Sequence, residues 1–213
     1  MKIDFVSDVS CPWCAIGLKS LEQALARLPD LQVELHFQPF ELNPGMAPEG
    51  EDINEHLGRK YGLPPAQLEA NREAIRQRGA AVGFDFVQGA RSRIYNTFDA
   101  HRLLHWAGLQ GEAQQRDLKL ALLGAYFTDG QDPSRHQVLI ERAVAVGLDG
   151  DAARAVLEGG QFADEVREAE AFYQSNGIHS VPAVIINERH LISGGQPPEV
   201  FEQALRQIAA ESR

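Results

Sequence analysis

The chain has 213 residues, of which 44% are apolar and 23% charged. That balance is close to the average of globular domains and excludes a disordered, collagen-like or mucin-like chain. Its 30 acidic residues outnumber the 20 basic ones, for a formal net charge of −10, a field that repels phosphate backbones and anionic lipid. No apolar run approaches the roughly 18 to 20 residues needed to cross a bilayer.

In chain order, residues 2 to 7 are apolar with β-branched and aromatic members and read as a buried strand. Met1 leads straight into it, without the basic stretch, apolar run and cleavage site of a secretory leader, so the expected location is cytoplasmic. Asp8-Val9-Ser10 forms a turn able to cap a helix. Cys14, Leu18, Leu21, Leu25 and Leu28 then recur at three- and four-residue steps, one apolar helix face ending near Pro29-Asp30. Leu31 to Gln38 alternates strictly, and Pro39 at its end suits an edge strand. Residues 2 to 38 therefore read as βαβ with both cysteines at the strand-to-helix junction.

From about 51 to 176 the spacing is helical, near 53–60, 65–81, 93–107, 112–127, 135–146, 149–158 and 161–175. No run here alternates as a strand would, and no fixed-period repeat appears. Ala183 to Ile186 is apolar throughout and reads as a strand at the sheet centre. Asn187-Glu188-Arg189 is a turn, and His190 to Ser193 is a second, antiparallel strand. Gly194-Gly195 breaks it, and Pro197-Pro198-Glu199 opens a last helix with Val200, Phe201, Leu205 and Ile208 as its apolar positions. The expected fold class is α/β: βαβ, a large all-helical insertion, then ββα, with a four-stranded mixed sheet. The expected division is a discontinuous domain of residues 1–50 and 177–213, an insertion of residues 51–160, and a helix at 161–176 packing on the first.

The two cysteines stand together as Cys11-Pro12-Trp13-Cys14. A disulfide closing so short a loop contributes only about 2 kcal/mol, which is a weak structural reason for the pair. A structural metal site needs four ligands, and only one Cys-X-X-Cys exists. A thiol at a helix start in such a spacing is acidified and reactive. Cys11, read as exposed on the first turn, is the expected nucleophile, and the deeper Cys14 the resolving thiol. Pro12 and Trp13 are expected to tune the pair. Val181-Pro182 lies just before the central strand, where a cis bond is the natural way to enter it. The backbone of Val181 could then pair with an extended partner.

These features carry a resemblance. Asp8-Val9-Ser10-Cys11-Pro12-Trp13-Cys14-Ala15-Ile16-Gly17 and Ser193-Gly194-Gly195-Gln196 with Pro198-Glu199 are its most specific marks. Asn96-Thr97 with Ala100-His101-Arg102-Leu103, Ala125-Tyr126-Phe127, and Gly177 to Pro182 add to it. Over about residues 2 to 207 the chain resembles the DsbA-like thioredoxin family, in the branch of 2-hydroxychromene-2-carboxylate isomerases and FrnE-like proteins. The resemblance implies a thioredoxin-like fold with an inserted helical domain, Cys11 as nucleophile, Cys14 as resolving thiol and Pro182 as a cis-proline facing them. The isomerase and kappa-type glutathione transferase members typically carry serine where Cys11 stands, so the redox branch is favoured.

Further candidates for the cleft are Asn96, His101, Arg102 and His179. For His101 and Arg102, a helix packed on its neighbour with a satisfied arginine is equally open. His101 and His105 share a helix face, but Arg102 stands where a metalloprotease helix has glutamate, and no metal site is expected. Tyr126-Phe127 reads as core, and the acidic run Glu165 to Glu170 as a solvated face. The expected function is thiol–disulfide exchange with a protein or small-molecule partner, without a bound cofactor, in a monomer or homodimer. Glutathione is a candidate co-substrate. The alternatives are a glutathione-dependent isomerase or transferase acting on a small aromatic compound, and a binding module that does not use Cys11.

Overall fold

A computed structural model describes residues 1–211. The chain opens with β1 (Lys2–Ser7), α1 (Pro12–Ala26) and β2 (Glu34–Pro39) and closes with β5 (Ala183–Ile186), β6 (His190–Ser193) and α9 (Pro198–Glu211). These four strands form one mixed sheet in the order β2-β1-β5-β6. β1 runs parallel to β2 and antiparallel to β5, with Phe5 opposite both Phe37 and Val184. The first and third of the expected strands are thus central, and Pro39 lies in an edge strand, where its missing donor costs no ladder bond. Asn187 and Glu188 take the left-handed conformation, at φ 51° and 57°, in the three-residue connection from β5 to β6, where the Arg189 N–H donates to the Ile186 carbonyl at 3.1 Å.

Alternation along β1 divides its neighbours between two faces. Ile3 and Phe5 join Val184 and Ile186 against Leu18 and Leu21 of α1 and Phe201 and Leu205 of α9. Val6 and Ala183 instead meet Phe40, Ile178 and Tyr173, the last from α8 (Ala163–Ser175). Val200, expected on the apolar face of α9, is exposed; Phe201, Leu205 and Ile208 alone fill that stripe. α1 stops at Ala26, short of the apolar pattern, although Leu28 still packs on the core.

Between β2 and β5 lie β3 (Glu51–Asp52), α2 (Ile53–Tyr61), α3 (Pro65–Ala81), β4 (Arg93–Ile94), α4 (Phe98–Gln110), α5 (Glu112–Phe127), α6 (His136–Ala145), α7 (Gly150–Glu158) and then α8. β3 and β4 pair antiparallel over two residues each, a ladder the sequence does not announce because two residues cannot show alternation. It delays the helix expected from 93 to residue 98, where the Asn96 side chain accepts from the Phe98 N–H. Leu103, Leu118, Leu122, Leu139 and Ala153 form a second core. Val9, from the turn just before the cysteines, inserts into it with no exposure. α5 serves both cores, since its Leu123, Tyr126 and Phe127 face the sheet-side cluster. No helix among the described residues is long and apolar enough to cross a membrane.

Two glycines set how closely the cysteine-bearing helix is approached. A Cβ on Gly17 of α1 would lie 3.0 Å from Cγ of Pro182, and one on Gly195 would lie 2.8 Å from the carbonyl oxygen of Trp13. Gly17 therefore accepts the usual helix-interior penalty of about 1 kcal/mol and admits the proline. At Gly195 the obstacle is backbone and cannot rotate away. Gly195→Ala is expected to cost about 1–3 kcal/mol through overpacking, read as a lower urea midpoint with an unchanged slope.

Candidate active site

Cys11 is the N-cap of α1, with extended backbone at φ −94° and ψ 115°, and Pro12 fills the first helical position, where a missing N–H is harmless. The turn is closed by the Cys11 N–H on the Asp8 carbonyl at 3.3 Å and by the Cys14 N–H on the Cys11 carbonyl at 3.1 Å. Asp8, read as part of a turn able to cap the helix, does not do so with its side chain. Its carboxylate instead accepts from the N–H groups of Ser10 at 3.1 Å and Leu42 at 2.8 Å, tying the turn to the segment after β2. Against this helix start sits the chain entering β5. The Val181–Pro182 peptide is cis, and Sγ of Cys11 lies 3.7 Å from the Val181 carbonyl oxygen, within reach of a thiol donating to it.

A cleft of about 760 Å³ opens at this junction, with Cys11, Pro12 and Trp13 on one side, His179 and Val181 beside them, and α2 and α3 opposite. Cys11 is not openly exposed, as the sequence led one to expect. It is 4% accessible and forms part of the cleft wall, because the Val181 segment and the facing helices cover the first turn. Cys14 is wholly buried, and both thiols are free. Trp13 is held by the Arg78 guanidinium, centred 5.2 Å from its ring, while Arg78 donates to the Gly195 carbonyl at 3.0 Å.

The environment separates the two sulfurs. The Cys14 thiol, with the N–H groups of Cys14 and Trp13, holds Cys11 below the ordinary thiol range, against burial and the Asp8 charge. Burial first, and then Cys11 itself, push Cys14 well above it. Beneath them lie two buried ionisable groups, Asp8 and Lys119. Burial favours a neutral Asp8, but His101 and the Leu42 and Ser10 N–H groups outweigh it and bring the carboxyl down to about 2. Lys119 of α5 is 1% exposed and has no hydrogen-bond partner among the described residues. Burial lowers its pKa while Cys14, Asp8 and Cys11 pull the other way.

Of the sequence candidates, Cys11, Pro12, Trp13, His179 and Val181 line the cleft, and Pro182 is buried behind them against Gly17. Asn96, His101 and Arg102 do not line it. Arg102 is spent on the Asp99 carboxylate at 2.6 Å and on the carbonyls of Gln161, Val156 and Leu157, holding α4 to α7. His101 faces the Phe40 carbonyl at 3.1 Å and Asp8 at 3.6 Å, beneath the dithiol. Asn96 donates to Glu41 at 3.1 Å. His105 packs against the Phe162 ring. Tyr126 and Phe127 are core. Glu170, read as part of a solvated face, is buried and accepts from Arg167 at 2.8 Å. Sequence reasoning missed Lys60, Arg91 and Lys119. Only Lys119, a cation inside the apolar run Leu118 to Leu123, carried a signal that could have found it. Glu34, His36 and Glu112 bring ligand atoms within 4.8 Å of one another, but both carboxylates are exposed and the group does not line the cleft.

Residues 2–206 match the family described as the DSBA-like thioredoxin domain. A solved structure of a probable DsbA oxidoreductase from Streptomyces coelicolor is similar at 35% identity, with 99% of this chain and 91% of that one covered and a TM-score of 0.91. The uncharacterized protein YwbO of Bacillus subtilis is 26% identical over 95% of this chain and 94% of its own. The structure of a 2-hydroxychromene-2-carboxylate isomerase shares the fold, with a TM-score of 0.71 at 15% identity, covering 100% of this chain and 98% of that one.

The Asp8 geometry has a measurable consequence. Its carboxyl falls from 3.8 to about 2 on folding, so its ionisation adds about 2 kcal/mol of stability. That contribution is present above the unfolded value and is lost as pH falls through about 2. Asp8→Asn also turns an amide donor toward the Ser10 or Leu42 N–H. The variant is expected to lose about 2 kcal/mol at neutral pH in urea titrations, with the gap to wild type narrowing below pH 3.8.

Proposed function

The chain belongs to the DSBA-like thioredoxin domain family, and from that premise we propose that it is a thiol–disulfide oxidoreductase whose reacting pair is Cys11 and Cys14. The observation that carries the proposal is the asymmetry of the pair. One sulfur is acidified, belongs to the N-cap residue of a helix and borders a cleft, whereas the other is sealed and pushed well above the ordinary thiol range.

The chemistry follows from that asymmetry. The Cys11 thiolate, stabilised where the helix dipole is positive, attacks one sulfur of a substrate disulfide. The substrate S–S bond breaks, a mixed disulfide forms on Cys11, and the departing thiolate takes up a proton. Cys14 then loses its proton and attacks the Cys11 sulfur, which releases the second substrate thiol and leaves Cys11 joined to Cys14. Two electrons pass from protein to substrate, and the same steps reversed oxidise a dithiol. An extended substrate segment could pair with the Val181 backbone in strand fashion. Pro12 and Trp13 shape the wall beside the sulfur, and Arg78 and Gly195 fix Trp13 in place.

The test is the pair of single variants. Cys11→Ser is expected to reduce exchange with a model disulfide to background. Cys14→Ala is expected to lose turnover while a one-to-one adduct on Cys11 accumulates, visible by intact mass. In wild type, alkylation of Cys11 is expected to reach half its maximal rate at a pH below the ordinary thiol range. Sustained turnover of Cys14→Ala in the presence of glutathione would favour the isomerase or transferase chemistry instead.

A further inference from the structure

The cleft carries the opposite charge from the molecule around it. The whole chain stands at −10. The charged residues lining the cleft are Lys60, Arg72, Arg91 and Glu41, and Glu41 is already engaged by Arg167 and Asn96. Arg72 is paired with Glu69 at 3.1 Å. Lys60 and Arg91 are not paired with any carboxylate among the described residues. Lys60 donates to the Leu42 carbonyl at 2.9 Å and the Asn43 side chain at 2.8 Å, which occupies two of its three N–H bonds. Arg91 donates to the carbonyl of Ser10, the residue before Cys11, at 3.3 Å and also interacts with the Tyr126 hydroxyl, which leaves further guanidinium N–H bonds unused. Its guanidinium centre lies 5.0 Å from the Phe127 ring centroid and 5.5 Å from that of Tyr126. Rings can hold a cation in place but leave its in-plane donors free.

We propose that the cleft selects small disulfides bearing negative charge, and that Lys60 and Arg91 are the residues that read it. The inference rests on the exchange reading above and adds the substrate class. A volume of about 760 Å³ suits a small molecule. Lys60 on α2 and Arg91 beside the helix start offer two cationic contacts around one sulfur, so a disulfide flanked by carboxylates fits them. Long-range attraction by the whole protein would favour cations, so the two expectations have opposite signs.

The experiment is single-turnover reduction by the fully reduced protein of three disulfides of matched size: dithiodipropionate, hydroxyethyl disulfide and cystamine, which are dianionic, neutral and dicationic. Each turnover converts one disulfide to two thiols and leaves the Cys11–Cys14 disulfide. Each rate is divided by that of free dithiothreitol with the same disulfide, which removes differences in leaving-group acidity. The expected result is a dianion-to-dication ratio of at least about tenfold in wild type, as two modest ionic contacts would give. The ratio should fall several-fold in Lys60→Met and in Arg91→Met. It should also shrink in wild type as ionic strength rises, a measurement that needs no variant. A preference for cystamine, or a ratio that neither the two substitutions nor salt will move, overturns the inference while leaving thiol–disulfide exchange standing. No reaction with any of the three overturns both.

Discussion

Two segments 170 residues apart in sequence meet at one sulfur. The first turn of α1 presents Cys11, and the chain entering β5 brings the Val181 carbonyl to it. That approach is possible because residue 17 has no side chain to hold Pro182 away. Gly195 admits the segment after β6 to the carbonyl of Trp13 on the same principle. The contact fixes where the cleft can be, since the Val181 segment forms one wall and also covers most of the thiol. It also requires the pairing of β1 with β5, because only that register places the end of β1 and the start of β5 side by side, with Val6 opposite Ala183.

The inserted helices are part of this construction. Val9, two residues before Cys11, is buried in the core of α4 to α7, and Asp8 is tied through Leu42 to the chain leaving β2. The turn that carries Cys11 is therefore clamped from both the sheet and the helices. α2 and α3 supply the opposite wall, and the segment after α3 supplies Arg91, which reaches back to Ser10. A helix start alone would acidify a thiol in the open; here the surroundings decide which sulfur is presented and which charges a visitor meets.

What could be read in the sequence divides along physical lines. Period and punctuation exposed the four strands, α1 and the helical stretch, because each buries one regular face. The placement of Cys11 and Cys14 at a helix start and of Val181-Pro182 ahead of the central strand could be read because each signal is local: a spacing of three residues on a helix start, and a proline ahead of an apolar strand. Residues that depend on long-range partners could not. His101 and Arg102 looked like cleft residues because a charged pair stood on an apolar helix, and nothing in the sequence said that the carbonyls of Val156, Leu157 and Gln161 would consume the arginine. The same blindness hid Arg91, an ordinary loop arginine until the fold sets it over two rings. The β3–β4 ladder went unread because two paired residues leave no pattern.

The charges beneath the dithiol are hard to explain by stability. A fully buried lysine without a hydrogen bond is costly, and an apolar side chain of similar length at position 119 would pack without that desolvation. Asp8 is different, because His101 and two backbone donors more than compensate its burial. A lysine whose burial outweighs the pull of Asp8 and the two sulfurs, together with a carboxylate held ionised, is the arrangement expected where the proton balance of a thiol pair matters more than the last few kcal/mol of folding free energy. Lys119 opposes the burial that keeps Cys14 protonated, and Asp8 opposes the groups that acidify Cys11. Each buried charge thus narrows the separation between the two thiols. In the exchange proposed above, a smaller separation would bring Cys14 closer to reacting once Cys11 is joined to a substrate.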